Sequence, residues 1–133
     1  MQSSLVIIKP DAVKRNLIGN ILSIYEANGL RITKLKMLTP SLKQAEQHYG
    51  EHKGKSFYDK LISYITSGPI VLALVEGEDA VDSVRNLNGA TNPADAQSET
   101  IRALYGIDKT QNSVHASDSF ESVERETAIW FEE

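Results

Sequence analysis

The fold of this chain is decided near its N-terminus, by Leu5-Val6-Ile7-Ile8-Lys9-Pro10-Asp11. The four apolar residues are rich in β-branched side chains, and they predict a short buried strand that stops at the proline. A doubly wound parallel sheet would be expected to carry a glycine-rich ligand loop directly after its first strand. No glycine stands there. The stretch therefore favours an antiparallel sheet.

The rest of the chain alternates helical patterns with short apolar runs. Apolar residues at helical spacing between Ile18 and Tyr25 end at Asn28-Gly29, a typical helix C-terminus. Three more strands are predicted over 30–38 (where the alternation slips once and indicates a bulge or bend), 70–75 and 112–116. Further helices are predicted from the N-cap Ser41, over 57–65, after a cap at Asp79 or a neighbour, and over 100–104. Asp118-Ser119 opens the last helix, where Glu121 completes a capping-box pattern with Asp118. Phe120, Val123, Thr127 and Trp130 share one side of it.

The order of these elements fits two βαβ halves. We predict an α+β fold: a ferredoxin-like antiparallel four-stranded sheet (βαββαβ) with helices packed on it. The doubly wound parallel sheet is the alternative. The length of 133 residues fits a single domain over 1–133.

Composition excludes several classes of function. The chain has no cysteine, so disulfides, thiolate metal sites and cysteine nucleophiles are excluded. Its 14 Lys+Arg against 18 Asp+Glu give a formal net charge of -4, which argues against a non-specific nucleic-acid coat but not against a local pocket for a phosphorylated ligand. Its apolar runs are too short for a signal peptide or a membrane span. We expect a cytoplasmic protein without a membrane partner.

Gly50-Glu51-His52-Lys53-Gly54-Lys55-Ser56 is similar to a phosphate-binding P-loop only at first sight. It has three residues between its glycines where a P-loop needs four, and a helical pattern precedes it instead of a strand. A turn between two helices is the better interpretation.

Three histidines remain as candidates for chemistry. His48 and His52 stand beside charged, turn-like sequence and are predicted to lie on the surface. His115 ends a short strand just before a helix N-terminus, where free N–H groups favour a phosphate. A neutral imidazole there is a plausible phosphoryl acceptor, although a single histidine is more often structural.

Asn112-Ser113-Val114-His115-Ala116-Ser117-Asp118-Ser119 resembles the active-site signature of the nucleoside diphosphate kinase family, Asn-x-x-His-Gly-Ser-Asp-Ser. Other marks of the family follow in the same order over essentially the whole chain. They are Ile8-Lys9-Pro10-Asp11-Ala12, His48-Tyr49, Phe57, Thr66-Ser67-Gly68-Pro69, Arg85, Gly89-Ala90-Thr91-Asn92-Pro93-Ala94, Thr100-Ile101-Arg102, Glu126 and Trp130-Phe131.

The resemblance implies the ferredoxin-like fold and a reversible ping-pong kinase reaction. A nucleoside triphosphate, typically ATP, gives its γ-phosphate to His115, and a nucleoside diphosphate takes it from the phosphohistidine. Mg²⁺ is implied as the cofactor, bridged by the nucleotide phosphates, with Asp118 reaching it only through water. A homo-oligomer (dimer, tetramer or hexamer) is implied, and nucleic acid is not expected as a partner.

The resemblance also assigns roles to side chains. Lys9, Arg85 and Arg102 would contact the phosphates together with the hydroxyl of Thr91. Phe57 would stack on the base and Asn112 would reach the sugar hydroxyls. The catalytic set would comprise His115, Tyr49 beside it, and Glu126 and Ser117, which orient its ring. Without the resemblance these positions would be taken as surface charges, turn residues or core aromatics.

The chain departs from the family pattern at a few positions. Ala116 stands in place of the usual glycine, and would be strained if that position needed a positive φ; a narrowed pocket is the alternative. Ser98-Glu99 replaces Pro-Gly, Leu104 replaces an aspartate, and Lys109 stands near the place of an apolar base contact. The chain ends at Glu133, where many relatives continue, so subunit packing is left open.

Two non-enzymatic hypotheses accompany the kinase. A catalytically silent ferredoxin-like regulatory module would bind nucleotides without forming a phosphohistidine. A single-stranded RNA reader of the same topology would need exposed aromatic residues on its central strands, and 5–8 and 70–75 contain none.

Overall fold

A computed structural model describes residues 1–131 and shows a four-stranded sheet in which every neighbouring pair is antiparallel. The strand order is β2-β3-β1-β4, which confirms the ferredoxin-like prediction and excludes the parallel alternative. The elements are β1 Gln2–Ile8, α1 Pro10–Lys14, α2 Ile18–Ala27, β2 Arg31–Leu38, α3 Leu42–His48, α4 Tyr58–Ile65, β3 Ile70–Gly77, α5 Ala80–Asn88, α6 Ile101–Tyr105, β4 Val114–Ala116 and α7 Phe120–Phe131.

Helices cover both faces of the sheet, and this explains why β1 is a continuous apolar run. Val6 and Ile8 belong to a buried cluster with residues of α2 and α5. Leu5 and Ile7 point the other way and pack with residues of α3, α4 and α7. Successive side chains of a strand face opposite sides, so a strand between two layers needs apolar residues at every position. β1 is therefore the buried centre against which the site is built.

Several element boundaries confirm the sequence predictions. The β2–β3 register shifts between Ile32 and Lys34, where the alternation slipped. Ser41 caps α3 in a capping box, since its Oγ accepts from the Gln44 amide at 3.1 Å and its own amide donates to Gln44 Oε1 at 3.0 Å. Gly29, with φ +83, closes α2 as expected.

Two predicted caps stand where expected but differ in their hydrogen bonds. Asp79 precedes α5, but it adopts a left-handed conformation (φ +48) and its side chain makes no cap hydrogen bond. α7 begins at Phe120, directly after Ser119, so the third residue of the helix is Ser122 rather than Glu121. The Ser119 Oγ accepts from the Ser122 amide at 3.1 Å. Phe120, the first residue of α7, is 70% exposed and does not join the apolar side.

No helix within residues 1–131 is long and apolar enough to cross a membrane.

Candidate active site

A cleft of about 1230 Å³ gathers the side chains that the sequence assigned to nucleotide binding. They come from the ends of β1 and α3, the start of α4, α5, α6 and the approach to β4. The predicted residues on its wall are Lys9, Tyr49, Phe57, Arg85, Thr91, Arg102, Asn112 and His115. Glu126 and Ser117 are buried behind the wall. Glu126 contacts His115, and Ser117 contacts Glu126.

His115 is held on β4 opposite Ile7 of β1, and its ring is fixed by a buried carboxylate. Nε2 of His115 lies 3.0 Å from Oε1 of Glu126, and the Ser117 hydroxyl donates to the same oxygen at 2.8 Å. Arg125 lies 3.5 Å from the other carboxylate oxygen. A carboxylate oxygen accepts, so Nε2 carries the hydrogen. The lone pair of the neutral ring is therefore on Nδ1.

His48 is not on the surface as predicted: it is 3% exposed. Its ring stands edge-on to His115, with centroids 4.7 Å apart and planes at 81°. Trp130 Nε1 donates to His48 Nδ1 at 3.2 Å. Burial is the main cause that lowers the pKa of His48 well below its usual 6.5, and the charge of Arg125 acts in the same direction. The charged sequence around His48 predicts exposure, and the structure shows burial instead.

Helical spacing is the signal that would have found His48. Ala45, His48 and Tyr49 lie at i, i+3 and i+4, which places them on one face of a helix, and all three are buried. Tyr49 borders the cleft and touches His48 edge-on with ring centroids 4.7 Å apart. Burial raises the pKa of the Tyr49 phenol, so it stays protonated and can donate a hydrogen bond.

Two cations of the cleft are anchored by the chain itself. Lys9 is 6% exposed, and its ammonium donates to Asn112 Oδ1 at 2.9 Å. Burial, with a smaller effect of the Arg102 charge, lowers the pKa of Lys9 to about 8. Arg102 donates to the carbonyls of Gly89 at 2.7 Å and Val114 at 2.8 Å. The orientation of the Arg102 guanidinium is thus fixed by two backbone carbonyls, one just after α5 and one in β4.

Gly89 is required by this arrangement. Its φ is +88, and a Cβ there would lie 2.5 Å from the Thr100 hydroxyl. Only glycine fits both the left-handed backbone and this close approach. The carbonyl that Arg102 uses is presented by this residue.

Asn112 is buried and joins three parts of the wall. Its Nδ2 donates to the carbonyls of Thr91 at 2.9 Å and Lys109 at 3.1 Å, while Oδ1 accepts from Lys9. An amide oxygen has two lone pairs, so Oδ1 keeps the capacity to accept from a ligand hydroxyl.

Phe57 stands just before α4 on the wall of the cleft, and its side chain is 44% exposed. The His52 ring lies edge-on at 5.3 Å between centroids, and Lys55 Nζ is 5.8 Å from the Phe57 centroid. Helical periodicity alone would place Phe57 in the core. The ring instead presents an apolar face that a ligand can cover.

The departures from the family pattern have local consequences. Among residues 1–131, positive φ at non-glycine positions occurs at Asn16, Asp79, Glu99 and Ser113, so Ala116 is not strained. Glu99, which replaces a glycine of the family pattern, has φ +72. Ala116 and Lys109 line the cleft, and Leu104 is 54% exposed.

The chain offers little direct coordination for a metal ion. In the described part of the chain, one group of three potential ligands comes together: ligand atoms of His48, His115 and Glu126 lie within 4.8 Å of one another. Two nitrogen donors do not suit Mg²⁺, which prefers oxygen, and Trp130 and Ser117 already bond to this group. The cleft wall does carry oxygen donors that suit a divalent cation, namely the carboxylates of Glu51, Asp82, Asp95 and Asp118.

Comparisons with known proteins agree with this geometry. The family model described as nucleoside diphosphate kinase matches residues 2–133. Nucleoside diphosphate kinases of Clostridium perfringens strain SM101 and Thermoanaerobacter sp. strain X514 are 53% and 51% identical, over 98% and 100% of this chain and 92% and 98% of theirs. The solved nucleoside diphosphate kinase of Aquifex aeolicus superposes with a TM-score of 0.94 at 37% identity, covering 96% of this chain and 93% of that one. The enzyme from Halobacterium salinarum, solved in complex with CDP, gives 0.95 at 42% identity, covering 99% and 88%. The chain belongs to the nucleoside diphosphate kinase family.

Proposed function

We propose that the chain performs the reaction of its family, a reversible ping-pong transfer of the γ-phosphate of a nucleoside triphosphate to a nucleoside diphosphate, through a phosphohistidine at Nδ1 of His115. The observation that carries this assignment is the contact of Nε2 with Glu126. It leaves the lone pair on Nδ1 of a residue that lines a cleft with cationic side chains. A silent nucleotide-binding module has no need of an oriented imidazole.

Neither half of the reaction needs a proton to be added or removed by an external acid or base. In the first half, the Nδ1 lone pair forms a bond to the γ-phosphorus, and the bond to the bridging β,γ-oxygen breaks. The nucleoside diphosphate leaves with that electron pair. The ring gains positive charge, which the Glu126 carboxylate stabilises through Nε2–H. In the second half, a terminal oxygen of another diphosphate attacks the phosphorus and returns the electron pair to Nδ1.

Positioning and charge carry the rest of the catalysis, as expected for phosphoryl transfer. Lys9, Arg85 and Arg102 would hold the phosphates, and the Thr91 hydroxyl would add a hydrogen bond. Phe57 would stack on the base through its face, which suits any base. Asn112 would accept from a sugar hydroxyl, and Tyr49 would donate to the reacting group near His115.

Mg²⁺ is the divalent ion that we propose as the cofactor. When bound to the nucleotide it would neutralise phosphate charge. Asp118 would contact it through water, and Ser122, which donates to Asp118 Oδ1 at 2.6 Å, would orient that carboxylate. This hydrogen bond is the main cause of the lowered pKa of Asp118, so the group is a carboxylate at neutral pH.

Nucleoside tri- and diphosphates are the proposed small-molecule partners, and further copies of the chain are the proposed protein partner. β2 is an edge strand of the sheet, and it leaves Leu35 58% and Met37 56% exposed. An open edge with exposed apolar side chains favours pairing with another chain. Mass measurement in solution would test for a dimer, tetramer or hexamer.

Incubation with γ-labelled ATP tests the central proposal. The protein should take up label that is acid-labile and base-stable, and should pass it to GDP. His115→Ala should take up none. The silent regulatory module predicts nucleotide binding without any such label, and label on the His115→Ala protein would show that another residue is the acceptor.

A further inference from the structure

Ser113 adopts a strained backbone conformation two residues before His115. Its φ is +75, and the Val114 amide donates to the Asn112 carbonyl across it at 2.9 Å. An i to i+2 hydrogen bond around a residue with φ near +75° marks the rarer and strained form of γ-turn. Such a conformation persists only where its surroundings enforce it.

The side chain of Ser113 is held by a buried carboxylate that the proposed chemistry does not use. Asp11 is 7% exposed, and its Oδ2 accepts from the Ser113 hydroxyl at 3.1 Å and from Arg15 Nη2 at 3.0 Å. The Tyr64 hydroxyl donates to Oδ1 of Asp11 and accepts from the Asp11 amide at 3.0 Å. A carboxylate removed from water is costly unless its lone pairs are used. Here three side chains use them.

The backbone of Ser113 is held from the same direction. The Lys9 amide donates to the Ser113 carbonyl at 2.8 Å. Farther out, the ammonium of Lys9 reaches Asn112 Oδ1. Residues 9–11 therefore hold the γ-turn by three contacts: Asp11 binds the Ser113 hydroxyl, the Lys9 amide binds the Ser113 carbonyl, and the Lys9 ammonium binds the Asn112 side chain. Asn112 and His115, which flank the turn, both line the cleft.

We propose that Ser113 and Asp11 are positioning residues, which hold the strained γ-turn so that Asn112 and His115 keep their places relative to Lys9. The inference rests on the proposed function, because those three residues are its binding and reacting groups. Neither Asp11 nor Ser113 lies on the cleft wall. Both affect Asn112 and His115 indirectly, by fixing the conformation of the γ-turn.

Glycine substitution separates positioning from a merely structural role. Ser113→Gly removes the hydroxyl anchor but also removes the strain, because glycine adopts positive φ freely. The fold should therefore keep its melting temperature to within a few degrees. The turn is no longer pinned, so the single-turnover rate of His115 phosphorylation should fall roughly tenfold or more. The ATP concentration that gives the half-maximal rate should change much less than the maximal rate.

Asn16→Gly is the matched control, since Asn16 is another non-glycine residue at positive φ (+62) and is exposed outside the cleft. It relieves strain without removing an anchor of the site, so the phosphorylation rate should not change. Asp11→Asn should lower the rate in the same direction as Ser113→Gly, because its amide group is a poorer acceptor for Ser113 and Arg15.

The outcomes are distinguishable. If the wild-type protein takes up no label from ATP, the proposed function itself fails. If wild type is labelled and Ser113→Gly is labelled equally fast, the positioning role is overturned. It is equally overturned if Ser113→Gly slows labelling only in proportion to a lost folded fraction, measured by circular dichroism at the assay temperature.

Discussion

The 3.0 Å contact between His115 Nε2 and Glu126 Oε1 assigns different tasks to the two nitrogens of one imidazole. Nε2 is the hydrogen-bonded nitrogen, and Nδ1 retains the lone pair that a phosphoryl group needs. The contact joins β4 to α7, so the orientation of the nucleophile depends on how the last helix packs against the sheet.

Glu126→Gln should slow phosphorylation of His115 by roughly 10- to 100-fold, because the charge opposite Nε2 is lost and the ring tautomer is no longer selected. Rapid-quench measurement of labelled protein checks this. Ser117→Ala is the graded control. It removes one hydrogen bond to the same oxygen and should cost about three- to tenfold. An unchanged rate in Glu126→Gln would contradict the orienting role.

Lys9 should set the alkaline limit of kcat/KM, which reports ionisations of the free enzyme. Burial lowers its pKa to about 8. Lys9 thus loses its charge, and the phosphate contact with it, as pH rises through that value. Lys9→Arg keeps the charge at every accessible pH. It should lower kcat/KM overall and remove this alkaline decline, and a decline of the same shape in both proteins would assign it to another group.

The same ionisation affects stability with a definite sign. Between pH 8 and the ordinary lysine value of 10.5, the unfolded chain still binds a proton that the folded chain has released. The free energy of unfolding contributed by Lys9 therefore rises with pH over this window. Denaturant titrations of wild type and Lys9→Arg at several pH values should show this rise in the wild type alone.

His48 should make the fold sensitive to acid. Its folded-state pKa lies well below the 6.5 that applies when it is exposed, so below pH 6.5 the unfolded chain binds a proton that the folded chain does not. Stability is then lost as pH falls below 6.5. His48→Gln cannot titrate, yet its amide oxygen can accept from Trp130. Denaturant titrations should give it a flatter pH dependence than wild type, and equal slopes would contradict a buried neutral His48.

Phe57→Ala should weaken binding of ADP, GDP and CDP by similar factors of about 10 to 100, since stacking on a ring face does not distinguish bases. Isothermal titration calorimetry measures this directly. Phe120→Ala is the matched control, because that ring is 70% exposed and is not part of the nucleotide cleft. It should not alter affinity. A loss confined to one base would instead indicate a base-specific contact.

Much of the fold could be predicted because local signals agreed with the final packing. The Ser41 cap and the Gly29 cap depend on residues within a few positions of one another, and the slip in the alternation of β2 is itself a local pattern, although the register shift that it indicates forms only against β3. His48 was misplaced because its neighbours in sequence are polar while its neighbours in space are Trp130 and His115. The roles of the predicted site residues remain predictions, although the structure places most of them around one cleft.

By itself, the sequence determined the strands, most of the helices and the family, and it indicated which side chains could act on a nucleotide. Periodicity, turn chemistry and the order of motifs along the chain can all be read without the tertiary structure. The resemblance implied that Glu126 orients His115, but only the tertiary structure decided that the contact is made through Nε2, that His48 is buried with a lowered pKa, and that Asp11 holds a strained turn at Ser113. Each of these contacts joins parts of the chain that are separate in sequence. Their energies depend on burial and direction, which exist only once the sheet and its two helical layers have formed.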